Sequence, residues 1–204
     1  MFRNILTGAL SIMMASMPVA AQAEVTLGGQ APDFKLTDMH GKPATLSRYK
    51  GKYVVLEWTN PKCPFVRKHY GSGNMQRLQR TYTKRGVVWL SINSAAAGRE
   101  GYSTPEQALA TSIEQKGAPT DVLLDPTGQV GHLYGARTTP HMFIISPAGR
   151  ILYMGGIDSI PSNKPEDLPK AKNFVAAALN EALAGKPVTV KTSMPYGCSV
   201  KYAL

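Results

Sequence analysis

Cysteine is scarce in this chain: two of its 204 residues carry a thiol, Cys63 and Cys198. At most one disulfide can therefore form within it. Acidic side chains are also few, 13 against 23 lysines and arginines, for a formal net charge of +10. The basic residues are scattered, with only short clusters such as Arg67-Lys68 and Lys84-Arg85. That pattern describes a solvated basic surface attracted to anionic envelope components and points to no nucleic-acid partner. Long apolar runs are absent beyond the first twenty or so residues, so nothing later in the sequence is suited to spanning a bilayer. No internal repeat, low-complexity segment or convincing interdomain linker divides the chain. With 43% hydrophobic and 18% charged residues, it has the composition of one globular domain with a full core.

The N-terminus reads as a leader. Met1-Phe2-Arg3-Asn4 gives a short positive start, residues 5–19 are mostly apolar, and Ala21-Gln22-Ala23 supplies the small-x-small pattern of a cleavage site. The expectation is removal after Ala23, a mature chain from Glu24, and a periplasmic or otherwise exported protein with no stable membrane insertion. Residues 24–186 form the folded unit and residues 187–204 a polar tail carrying Cys198. Outside the cytosol two thiols can persist as a disulfide. A purely structural bridge from 63 to 198 would stabilise the fold by roughly 5 kcal/mol in the chain-entropy model.

Hydrophobic patterning gives the order of elements. Short strand-like pieces at 31–36, 39–43 and 44–46 read as an N-terminal hairpin, with Gly41 suited to the turn. The apolar runs 53–58 and 87–92 have the character of strands buried on both faces. Between them Pro64 opens a helix that bends at Gly71-Ser72-Gly73 and continues to Lys84. Together these pieces make a right-handed βαβ unit. Thr104 and Pro105 start a second helix running to about Lys116. A strand at 121–125 and a brief helix at 128–134 follow. A hairpin is expected from 141–146 and 151–156, turning through Pro147-Ala148-Gly149-Arg150. A final helix is expected from Glu166 to Ala184, its buried stripe marked by Phe174, Val175, Ala178, Leu179 and Leu183.

Cys63 stands where a buried strand gives way to a helix beginning at Pro64. Unpaired N–H groups and the positive end of the helix dipole favour thiolate there, and Lys62, Arg67 and Lys68 bring positive charge nearby. The residues thus point to a nucleophilic sulfur of low pKa. Glu57, on the preceding strand, is a candidate proton acceptor.

The order β, α, β, an inserted helix, then β, β, α resembles the thioredoxin-like superfamily. So do Ala31-Pro32-Asp33-Phe34, Gly51-Lys52-Tyr53-Val54-Val55-Leu56, the Trp58 loop, Thr139-Pro140 and the hairpin from Phe143 to Tyr153. Within it the chain is similar to the redoxin branch, which includes the alkyl hydroperoxide reductase/thiol-specific antioxidant proteins and periplasmic thioredoxin-like reductants. The likeness covers about residues 28–184. It implies an α/β thioredoxin-like fold, with a central mixed sheet flanked by helices, and a thiol-dependent oxidoreductase that needs no cofactor and no metal. It also implies a cis Pro140 against the active cysteine, leaving the Thr139 backbone free to pair with an extended substrate. Substrate contacts are then expected from Trp58, Asn60, Arg137, Thr139 and Pro140, with Arg137 able to stabilise a thiolate or peroxide oxygen.

The departures from the family pattern are informative. Where thioredoxins have Trp-Cys-x-x-Cys, this chain reads Trp58-Thr59-Asn60-Pro61-Lys62-Cys63, so Cys63 matches the second cysteine and Asn60 replaces the first. The Pro-x-x-x-Thr-x-x-Cys motif of peroxiredoxins is also unmet, because Leu56 stands where its proline should be and Thr59 is one residue early. The leading expectation is a thiol-disulfide oxidoreductase with Cys63 as nucleophile and Cys198, on a mobile tail, as resolving cysteine. Its partners would be protein thiols or disulfides, with an unidentified electron donor. A peroxide-reducing antioxidant enzyme using the same cysteines, and a copper module using Cys63 with His69 or His141, are the competing readings.

Overall fold

The computed structural model describes residues 25–203. The leader expected at 1–23 lies outside these residues. A seven-stranded mixed sheet organises the chain. Its strands are β1 (Lys35–Asp38), β2 (Pro43–Thr45), β3 (Val54–Trp58), β4 (Val88–Asn93), β5 (Asp121–Leu124), β7 (His141–Ile145) and β8 (Ile151–Gly155), in the order β2-β1-β5-β4-β3-β7-β8. β3, β4 and β5 run parallel, while β1 and β7 flank them antiparallel. Two-residue strands β6 (Thr138–Thr139) and β9 (Cys198–Ser199) pair separately. The helices are α1 (Pro64–Gly71), α2 (Asn74–Thr83), α3 (Pro105–Glu114), α4 (Gln129–Leu133) and α5 (Phe174–Leu183). No helix among the described residues is long and apolar enough to cross a membrane.

Period-two alternation along the central strands sends side chains to two separate cores. Val54, Leu56 and Trp58 of β3 join Val88, Leu90 and Ile92 of β4 on one face, under Phe34 and α4. Val55, Trp89, Met142 and Ile144 face the other way and are covered by α1, α2 and α5. Cys63 belongs to this second core. The break between α1 and α2 falls at the expected glycines, where Gly73 takes a left-handed φ of 72° that glycine adopts without strain. Thr104 caps α3 through a reciprocal capping box with Gln107.

Two expectations need correction. The last helix starts at Phe174, not near Glu166. Asn173 caps it by accepting from the Ala176 N–H at 2.8 Å, and the residues before it are tied to the sheet end by Ser159 N–H to Lys172 O and Phe174 N–H to Ile157 O. These bonds leave residues 165–167 only a short 3₁₀ turn. The polar tail, expected to be mobile, is instead docked on the fold at points between Lys191 and Tyr202. Met154 N–H donates to Lys191 O, Val200 N–H to Arg137 O and Ala96 N–H to Lys201 O. Tyr202 donates its hydroxyl to Ala136 O at 2.7 Å and stacks on His132, with ring centroids 4.0 Å apart.

Candidate active site

Cys63 is the N-cap of α1, with extended backbone angles and Pro64 in the first helical position. Asn60 shapes the approach to it. Asn60 Oδ1 accepts from Lys62 N–H, its carbonyl accepts from Cys63 N–H at 3.0 Å, and its Nδ2 donates to Glu100 O. The Cys63 side chain is almost wholly buried, at 2% exposure. In its thiol form the sulfur donates to the carbonyl of Thr139 at 3.1 Å, and the Thr139-Pro140 peptide is cis. The Sγ of Cys198 lies 2.6 Å away, brought there by the antiparallel pairing of Thr139 with Cys198.

The two thiols are displaced in opposite directions. Burial alone would push the Cys63 pKa up. Hydrogen bonding from the Cys198 thiol, with the N–H groups of Val66 and Cys198, outweighs it and holds the thiol below its ordinary 9.0. Cys198 is raised to about 11 by burial and by the sulfur it faces. Of the two, Cys63 is therefore the thiol that ionises first, while Cys198 keeps its proton to higher pH. Replacing Cys198 with alanine removes its thiol donor, so Cys198→Ala is expected to move the Cys63 titration to higher pH, read from the ultraviolet absorbance of the thiolate. An unchanged titration would assign the depression to the helix start instead.

The cations singled out in the sequence do not supply this stabilisation. Lys62 and Arg67 are exposed, and Arg67 turns its Nε to Pro61 O. Lys68 is buried and directed to Asp158, with Nζ 3.5 Å from Oδ2. Arg137 is exposed and meets the site through its backbone, its carbonyl accepting from Val200. Trp58 is fully buried on the opposite face of the sheet from Cys63, against Tyr134 and Phe143, with Nε1 donating to Ser94 Oγ at 3.1 Å. Alternation along β3 makes this unavoidable once Glu57 points toward the Cys63 side. Of the substrate-contact set, the fold brings Asn60, Thr139 and Pro140 to Cys63 and leaves Trp58 and the Arg137 side chain elsewhere.

Glu57 has no exposed surface and accepts from four donors: Trp89 Nε1 at 2.8 Å, Ser91 Oγ at 2.9 Å, Tyr70 OH at 2.9 Å and Gln79 Nε2 at 3.3 Å. Burial raises its pKa, and the four donors only partly offset this. Glu57 is thus the centre of a buried network beneath α1 and α2 and makes no hydrogen bond to Cys63. His69 and His141 are buried too, each lowered to about 4, chiefly by desolvation. His69 Nδ1 is 2.8 Å from Asn74 Nδ2, and His141 Nδ1 accepts from Arg137 N–H. Among the described residues no three His, Cys, Asp or Glu side chains group as a metal site would require.

Residues that the sequence did not single out hold the tail. Tyr196 OH donates to Asp158 Oδ1, Ser193 Oγ accepts from Gly156 N–H at 3.0 Å, and Gly197 lets the chain pass close to Thr139. In the sequence Pro195 and Gly197 read as the flanks of a turn, which gives no sign of these contacts.

Fold and site together define the class of protein: a thiol-dependent oxidoreductase built on the thioredoxin-like fold. The AhpC/TSA family matches residues 27–154, and the chain belongs to that family. The thiol-disulfide oxidoreductase ResA of Geobacillus thermodenitrificans is 28% identical to it over 127 residues, 62% of this chain and 67% of ResA. Among solved structures, an uncharacterized conserved protein from Geobacillus kaustophilus is similar with a TM-score of 0.74 and 30% identity, over 87% of this chain and 93% of that one. A putative thiol:disulfide interchange protein DsbE from Chlorobium tepidum is similar with a TM-score of 0.53 and 26% identity, over 64% of this chain and 85% of that one.

Proposed function

We propose that the protein is an exported thiol-disulfide oxidoreductase acting on protein partners, with Cys63 as nucleophile and Cys198 as resolving cysteine. Residues 1–23 would serve as the cleaved leader, and an unidentified donor would return the electrons. One observation carries this reading: two sulfurs 2.6 Å apart, one held below and one above the ordinary thiol pKa. The Cys63 thiolate attacks one sulfur of a partner disulfide, forming a mixed disulfide and expelling the partner's other sulfur as thiolate. Cys198 then loses its proton and attacks Cys63, the Cys63–Cys198 bond forms, and the partner leaves as a dithiol. The partner disulfide gains two electrons, and the chain's two thiols lose them. Thr139 and Pro140 border the reacting sulfur, and Asn60 fixes the loop that presents it.

Pre-reduced protein offered an oxidised protein substrate and, separately, hydrogen peroxide tests this. The expected outcome is a single turnover that reduces the protein disulfide and leaves Cys63 joined to Cys198, detected by mass after alkylation. Peroxide should be consumed no faster than by an ordinary small thiol. Rapid peroxide consumption with no reduction of the protein disulfide would overturn the proposal in favour of a thiol peroxidase.

A further inference from the structure

The strand that pairs with Thr138–Thr139 is the chain's own tail, and its cysteine is the one facing Cys63. Its path is shaped residue by residue. Gly197 has φ +137°, a region that disfavours side chains, and a Cβ there would overlap the Thr139 carbonyl oxygen. One residue earlier, Tyr196 fills a recess. Its hydroxyl donates to Asp158, its ring meets Phe65 edge-on at 5.9 Å, and Lys68 Nζ lies 5.6 Å from the ring centroid. Lys68 and Asp158 are both buried and lie in the body of the protein, not in the tail. The recess, the tight passage and the strand edge therefore belong to the fold and would be offered to any chain that replaced the tail.

We infer that residues 196–199 mark the site of the partner: an extended polypeptide segment with an aromatic hydroxyl residue, then glycine, then the cysteine to be reduced. This rests on the oxidoreductase reading and specifies its substrate. The segment displaces the tail and pairs antiparallel with Thr138–Thr139, placing its disulfide sulfur where Cys198 Sγ stands. Cys63 attacks that sulfur and the partner's second sulfur departs as thiolate. When the tail returns to its edge, it expels the partner strand and delivers Cys198 to the mixed disulfide. Release of the partner and resolution of the bond thus become one event.

The test uses the full chain with Cys198→Ser, which leaves Cys63 as the single thiol. Three peptides carry their cysteine as a mixed disulfide with thionitrobenzoate, whose release is coloured. One reads Pro-Tyr-Gly-Cys-Ser-Val, the second has alanine for its glycine, and the third has alanine for its tyrosine. At subsaturating concentration the first should react about tenfold faster than either other, the effect of losing one buried hydrogen bond or forcing one strained residue. Gly197→Ala in the same background weakens the competing tail and should speed the first peptide by a similar factor. Equal rates for the three peptides, with Cys63 reacting in each, would overturn this inference and leave the oxidoreductase reading intact. No release from any peptide or from the free dithiobis-nitrobenzoate reagent would instead overturn both.

Discussion

Replacing Cys63 with serine is expected to lower the reduction of a protein disulfide by at least about a thousandfold, with the fold retained. Serine fits the same space, and its hydroxyl can still donate to the Thr139 carbonyl, so the second core keeps its packing. What disappears is the thiolate. In the native chain Cys63 is held below its ordinary pKa of 9.0, so it is ionised over a wider range of pH than a free thiol. The sign follows from that depression: the attacking form accumulates as pH rises through the lowered value and is lost as pH falls through it. Cys198 cannot substitute. It is raised to about 11 beside Cys63, and without that neighbour its partial burial still favours the neutral thiol. Steady-state reduction of an oxidised protein by Cys63→Ser, set beside thermal melts of the same sample, checks both halves of the expectation.

The second large effect is on stability. Glu57→Ala is expected to destabilise the protein by about 3–5 kcal/mol, because it opens a cavity and strands buried donors on Trp89, Ser91, Tyr70 and Gln79. Glu57→Gln keeps the volume and one acceptor oxygen, so its cost should be smaller, although its amide N–H₂ turns toward groups that also donate. The pH dependence separates the roles. The carboxyl pKa is raised above its ordinary 4.5, mainly by burial, so the folded state binds the proton more tightly than the unfolded state. Its contribution to stability is therefore greatest below the ordinary carboxylate pKa and falls as pH rises through the folded value. Urea melts of wild type and Glu57→Gln across that range should differ in how stability depends on pH, the wild type losing stability as pH rises and the variant lacking that loss; one shared slope would show that Glu57 is not the titrating group. Tyr70 sits on α1, the helix that begins after Cys63, so Glu57→Ala should also disturb the thiol indirectly.

What the sequence disclosed was local or periodic. The apolar runs of β3 and β4, the glycine break between α1 and α2, the Thr104 cap and the Cys63-Pro64 junction all rest on neighbouring residues. A cis Pro140 was accessible only through the family resemblance, and the structure has that geometry. What stayed hidden needs contacts between distant parts of the chain. Tyr196 meets Asp158 across the fold, and nothing around either residue in sequence announces the pair. Glu57 draws its donors from α1, α2 and β4, so its environment exists only after the sheet and helices assemble. The docked tail is the largest such case, because its polarity and its proline and glycine suit a free segment as well as an edge strand. Trp58 was misleading because nearness to Cys63 in sequence hides the alternation that turns it to the opposite core. The overlong final helix has a simpler cause: backbone bonds to residues 157 and 159 hold the segment before Asn173 out of the helix.

Central to the account is that Cys63 and Cys198 exchange their bond in function and do not merely tie the tail down. The reduction potential of the Cys63–Cys198 disulfide, measured by mass after alkylation across a graded series of thiol redox buffers, tests this most directly. A working pair should equilibrate with those buffers at a potential above about −300 mV, and a potential far below that would mark a permanent structural bridge and contradict the account.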